Sequence, residues 1–152
     1  MTHQPFTLSS PAFGNGQNIP LAYTCKGANI SPPLHIEGAP EDTERFALIM
    51  HDPDAPHGDF LHWSLWDIGP TTTDIDEDIP PIDAVEGTND FGEMDYGGPC
   101  PPSGTHRYEF DLYALDGPLA LPFGASRTEV EEAIRTRGIA KTTLIGTVSA
   151  LI

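Results

Sequence analysis

Positive charge is scarce in this chain. Seven Lys and Arg stand against 23 Asp and Glu, a net charge of −16, and only Lys26 and Lys141 are lysines. Phosphate backbones and anionic bilayers recruit Lys and Arg, so nucleic acid and stable membrane association are poor expectations. Long apolar runs are also missing. No stretch approaches the ~18 residues of a membrane-spanning helix. The opening MTHQPFTLSS has neither the basic nor the apolar region of a secretory signal, so a cytoplasmic protein is expected. Cysteine is limited to Cys25 and Cys100, without CxxC or zinc spacing. In a cytosolic protein both are expected as free thiols, with a disulfide between them left open.

Turn-forming residues are abundant. Sixteen prolines and 15 glycines are scattered through 152 residues, which suits short strands joined by many turns within one domain over residues 1–152. The acidic excess reads as solubility through self-repulsion or as adaptation to high salt, and DIDED (74–78) reads as a solvated loop. Strands are predicted at FTLSS (6–10), LAYTC (21–25), LHIEG (34–38), FALIMHD (46–52), HWSLWDI (62–68) and HRYEFDLYALD (106–116). In the last, Tyr108, Phe110, Leu112 and Ala114 share one face, and Arg107, Glu109, Asp111 and Tyr113 the other. KTTLIGTVSALI (141–152) reads as one or two strands. One helix is predicted over about 126–137. Ser126 and Glu129 form a capping box, Val130, Ala133, Ile134 and Arg137 lie on one face, and Gly138 follows. The fold class is therefore mainly β, an antiparallel β-sandwich with one clear α-helix and short helical turns.

HDPDAPHGDFLHW (51–63) concentrates titratable chemistry at the end of an apolar strand. Pro53 and Pro56 stiffen the turn and hold Asp52 and Ala55 extended. A hairpin between 46–52 and 62–68 brings Asp52 or Asp54 near His62, where a carboxylate would fix the tautomer and raise the imidazole pKa. YGGPCPPSGTHRY (96–108) is a stiff loop with several exposed amides, and it delivers His106 to the face that also carries Tyr108. His51 alternates with Asp52 and is expected to face away, and His57 reads as a turn residue. His3 and His35 draw no functional reading.

HDPDAP, then HW, then GPCPPSGTHRYEFDLYAL resemble the phosphatidylethanolamine-binding protein family, in its bacterial and archaeal Raf-kinase-inhibitor-like branch. CKGANISPPL (25–34) resembles the N-terminal motif of that branch, so the likeness covers about residues 6–150. The resemblance implies a β-sandwich with a small anion-binding pocket comprising Asp52, Asp54, Pro56, His62, Gly98, Pro99, His106 and Tyr108. It implies a binding protein rather than an enzyme, with no cofactor and no metal. Its ligand would be a small anion or zwitterion such as phosphate or a phosphoethanolamine-like head group. An unknown protein partner and a homodimer are further expectations. The eukaryotic kinase-regulating members carry a long C-terminal helix, whereas TVSALI closes this chain, so kinase inhibition does not transfer. Three rivals stand beside this reading. One is a metal site from His57, Asp59 and His62 or from Asp52, Asp54 and His106. The second is a hydrolase with a Cys100 thiolate activated by His106. The third is a plain interaction protein whose pocket is vestigial.

Overall fold

The computed structural model describes residues 4–150. His3 and the last two residues of the predicted 141–152 segment lie outside that range. In chain order the elements are β1 (Thr7–Ser9), β2 (Gln17–Asn18), a 3-10 turn (Leu21–Tyr23), β3 (Leu34–Glu37), β4 (Arg45–Asp52), β5 (Phe60–Ile68), β6 (Asp74–Ile75), β7 (Val85–Glu86), β8 (Thr105–Leu115), α1 (Arg127–Arg137) and β9 (Gly138–Ser149). They build a three-stranded sheet in the order β1-β3-β6 and a six-stranded sheet in the order β2-β9-β8-β4-β5-β7. All pairings are antiparallel except β2 with β9. The architecture is thus mainly β with one α-helix among the described residues.

The larger sheet is buried on both sides, which explains why β4 reads as an unbroken apolar run rather than an alternation. Phe46, Leu48 and Met50 point into a core shared with Leu8, Leu34, Ile36 and Ile75 of the smaller sheet. Ala47 and Ile49 point the other way, into a second core closed by Val130 and Ile134 of α1. On β8, Tyr108, Phe110, Leu112 and Ala114 share the inter-sheet face, each fully buried.

Two expectations are corrected, for LAYTC and for Gly138, and a third, the final segment, is narrowed from one or two strands to one. LAYTC is not a strand: Leu21–Tyr23 forms a 3-10 turn entered from Pro20, whose missing N–H suits a helical start better than a ladder. The final segment is one long strand, β9, paired with β8 from Leu115 to Thr105. Ser126 and Glu129 do form the capping box, but Gly138 closes α1 in an extended conformation and leads directly into β9. Glycine is needed there because a side chain would press against the Ile134 carbonyl.

Candidate functional site

A cavity of about 470 Å³ opens where β4, β5 and β8 end, between the turn at 53–59 and the loop at 90–102. Asp52, Pro56, His62, His106 and Tyr108 line it together with Phe60, Asp90, Phe91 and the Cys100–Pro102 stretch. Strand geometry accounts for the convergence. Asp52 continues the Phe46–Leu48–Met50 face, and His106 shares the Tyr108 face by the same two-residue period. His62 arrives differently. Met50 pairs with Trp63 but His51 pairs with Leu61, so His62 is the extra residue of a β-bulge. The bulge turns its ring toward Tyr108, at 5.3 Å between ring centroids.

Hydrogen bonds assign the donors and acceptors. One Asp52 oxygen accepts the Asp54 amide at 2.8 Å and closes the turn. The other accepts His106 Nδ1 at 2.6 Å. His62 Nδ1 lies 2.6 Å from the Gly97 carbonyl, which can only accept, so the proton sits on Nδ1. The second ring nitrogens of His62 and His106 remain for the cavity. Burial holds the His62 pKa below its ordinary value against the opposing pull of Gly97 and Asp52. The Tyr108 hydroxyl is buried and completes no hydrogen bond with protein. The Asp52 carboxylate and the Cys100 amide lie beside it without closing a bond of normal geometry. Burial first, then the Asp52 charge, raise its pKa, so it remains a donor. Phe60, Phe91 and His62 form an aromatic wall with centroids 4.8–5.4 Å apart.

Three residues expected in the pocket lie outside it. Asp54 turns away and grips Arg107 through its backbone amide, Nε and Nη2 at 2.9–3.0 Å, which takes the carboxyl down to about 2. It ties the turn to β8. Gly98 donates its amide to Asn29 Oδ1 and the Pro99 carbonyl accepts from the Cys25 amide, while the Gly97 amide goes to the His62 carbonyl. The loop amides expected to face a ligand are therefore spent inside the protein. The net shift of His62 is opposite to the expected one: burial lowers its pKa and outweighs the upward pull of Asp52, whose carboxylate bonds His106 instead. Phe60, Phe91, Asp90 and the Cys100–Pro102 wall were missed, and His57, read as a turn residue, lines the cavity together with Asp59. Phe60 could have been found two residues before His62, whereas Phe91 sits in a loop without a periodic signal.

The cysteines are not free thiols. Cys25 and Cys100 form a disulfide with their Cα atoms 5.4 Å apart, which removes Cys100 as the thiolate of the hydrolase rival. His57, Asp59 and His62 of the metal rival all line the cavity, but among the described residues the group close enough to share an ion is His51, Glu109 and Asp111; Asp54 pairs with Arg107, and Asp59 with His51 and Arg127. His51 faces away from the cavity, as expected, and lies between Asp59 and Asp111 on the α1 side of the sheet.

Two sheets around a shared core, with a cavity at one end that sets a few titratable groups among aromatic and proline side chains, make the architecture of a binding protein. The family model "PBP: Phosphatidylethanolamine-binding protein" matches residues 9–149, and the chain belongs to this family. A UPF0098 protein of Pyrococcus horikoshii is 47% identical over 146 residues, covering 90% of this chain and 73% of that protein. One from Methanothermobacter thermautotrophicus is 46% identical over 144 residues, covering 91% and 95%. Among solved structures, a phosphatidylethanolamine-binding protein homologue of Chlamydia trachomatis, CT736, has a TM-score of 0.90 at 37% identity, covering 95% of this chain and 97% of that one. Escherichia coli YbcL has a TM-score of 0.89 at 31% identity, covering 95% and 98%. No helix of the described residues is long and apolar enough to cross a membrane. A Mycobacterium tuberculosis relative, 38% identical over 146 residues, carries a lipoprotein name, LppC.

Proposed function

We propose that this protein is a non-enzymatic binding protein whose cavity takes a small anion, phosphate or the phosphate end of a zwitterionic head group. The Tyr108 hydroxyl carries the reading: a buried donor with no protein partner, flanked by the imidazoles of His62 and His106, asks for an acceptor from the cavity. His106, oriented from behind by Asp52, turns its Nε2 to the same anion. His62 would take up a proton as the anion enters, because a nearby negative charge offsets the burial that lowers its pKa. The lining carboxylates already have donors: Asp52 has His106 and the turn amide, Asp59 has His51 and Arg127, and Asp90 has the Leu61 amide. A negative ligand thus meets compensated charge, and an ammonium on a zwitterion can reach the exposed Asp90.

The net charge of −16 argues for a free small ligand rather than a bilayer or nucleic acid. The cytoplasm remains the proposed location. Calorimetry with inorganic phosphate at fixed ionic strength tests the reading. Affinity should rise as pH falls through about 6.5, the ordinary imidazole value. Affinity independent of pH would rule out the imidazolium role, and no binding at any pH would rule out the anion pocket.

A further inference from the structure

The CKGANISPPL motif (25–34) lies outside the cavity, yet its neighbourhood holds one wall of it. Tyr96 Oη donates to the Tyr23 carbonyl at 2.6 Å, the Gly98 amide to Asn29 Oδ1 at 2.8 Å, and the Cys25 amide to the Pro99 carbonyl at 3.0 Å. Gly98 packs so tightly here that a side chain would collide with Asn29 and the Tyr23 carbonyl. These bonds fix residues 96–99. Beyond them the wall continues as Cys100, Pro101 and Pro102, all lining the cavity. The two prolines have no amide proton to donate. The disulfide to Cys25 is therefore the tether of this stretch, and both cysteines are exposed to solvent.

We propose that the Cys25–Cys100 disulfide is a redox switch on the cavity wall: oxidised, it holds the Cys100–Pro102 wall against Tyr108; reduced, it releases that wall and weakens ligand binding. The proposal rests on the anion-pocket reading for its ligand, but not for the movement of the wall. A solvent-exposed disulfide is open to thiol–disulfide exchange. A dithiol reductant supplies the electrons. Its thiolate attacks one sulfur, the Cys25–Cys100 bond breaks, and a mixed disulfide forms. Its second thiol displaces the protein sulfur, so the reductant leaves as a disulfide and both cysteines end as thiols, two electrons and two protons richer. The release is local because the hydrogen bonds at Tyr96, Gly98 and Pro99 do not depend on the sulfur bond. The Cys100 amide lies beside the Tyr108 phenol, so the tether reaches the proposed ligand donor directly.

The test compares three samples: oxidised protein, protein reduced with a phosphine and checked by thiol alkylation and mass spectrometry, and the Cys25→Ser/Cys100→Ser double variant. Hydrogen exchange should accelerate at the Cys100, Ser103 and Gly104 amides in the second and third samples and stay unchanged in β4, β8 and α1. Calorimetry with inorganic phosphate should give a Kd about tenfold weaker, as expected if the closed wall is populated about a tenth of the time. Unchanged exchange at residues 100–104, acceleration throughout the chain, an unaltered Kd, or a disulfide that resists reduction in the folded protein would each overturn the switch. Absence of phosphate binding in all three samples would sink the anion reading instead, while the exchange contrast would still decide whether the wall is released.

Discussion

His51 and Asp52 are neighbours on β4, and the pleat sends them into two histidine–carboxylate sites of opposite character. On the α1 side, His51 gives both ring nitrogens to protein: Nδ1 to Asp59 at 2.7 Å and Nε2 to Asp111 at 2.8 Å. Arg127, Thr143 and Lys141 complete that cluster around the same carboxylates. On the cavity side, Asp52 takes one nitrogen of His106 and the Gly97 carbonyl takes one of His62, leaving one nitrogen on each ring. A histidine with both nitrogens bound is a cross-link among β4, the turn that leads into β5, and β8. A histidine with one bound is oriented and still able to meet a ligand. The residue types are alike, and the number of nitrogens already committed separates them.

The largest effect that sharpens this contrast is expected from His51→Leu. It strands Asp111, buried with its side chain 6% exposed, with only Thr143 and the more distant Lys141 as compensation. Losing one partner of a buried pair costs about 3 kcal/mol or more, readable by urea denaturation. A loss below about 1 kcal/mol, the range of exposed pairs, would break the comparison by showing the cluster to be dispensable.

Tyr108→Phe should behave in the opposite way. The hydroxyl makes no protein hydrogen bond, so stability should hold or rise, because an unmet buried hydroxyl costs about 1–3 kcal/mol. Phosphate affinity should fall about fivefold, the worth of roughly 1 kcal/mol of hydrogen bonding. A variant that loses stability and keeps its affinity would assign the hydroxyl to the fold.

The pH profile of stability should carry both histidines with opposite signs. Burial alone would lower the His51 pKa, but Asp111 and Asp59 outweigh it and the value is raised. Its stabilisation is complete below the unfolded value of about 6.5 and lost as pH rises through the folded value. For His62 the folded value is lowered by burial. The unfolded chain then binds a proton that the folded one refuses, so stability falls as pH drops from about 6.5 through the folded value. Denaturation across this range should show the upper slope vanish in His51→Leu and the lower one in His62→Gln. Unchanged slopes would refute these assignments.

Asp54→Asn should be the mildest change. Its partner Arg107 is half exposed, and such pairs contribute under about 1 kcal/mol. Because the Asp54 carboxyl is depressed to about 2, its contribution is present above the unfolded value near 3.9 and fades as pH falls toward 2. A loss of phosphate affinity as large as that of Tyr108→Phe would place Asp54 back in the pocket.

Much of this was legible in the chain. The apolar run 46–52, the two-residue period of 106–116 and the Ser126–Glu129 box are local patterns, and local patterns reflect backbone periodicity. The motifs that carried the family resemblance also gathered Asp52, His62, His106 and Tyr108 into one expected group, and these four do line one cavity. Other features were hidden because they depend on distant partners. Strands β2, β6 and β7 are two residues each, too short to show a period, and exist only because a neighbouring strand is there to pair with.

By itself, the sequence determined the strand faces, the helix and the residue types available for a site, since these follow from spacing along one chain. Tertiary structure decided how those residues are used. A register shift against β4 turned His62 inward, Arg107 drew Asp54 outward, and residues 25 and 100 met as a disulfide across 75 positions. Each outcome depends on which groups from remote segments arrive within bonding distance, and spacing along the chain carries no record of that.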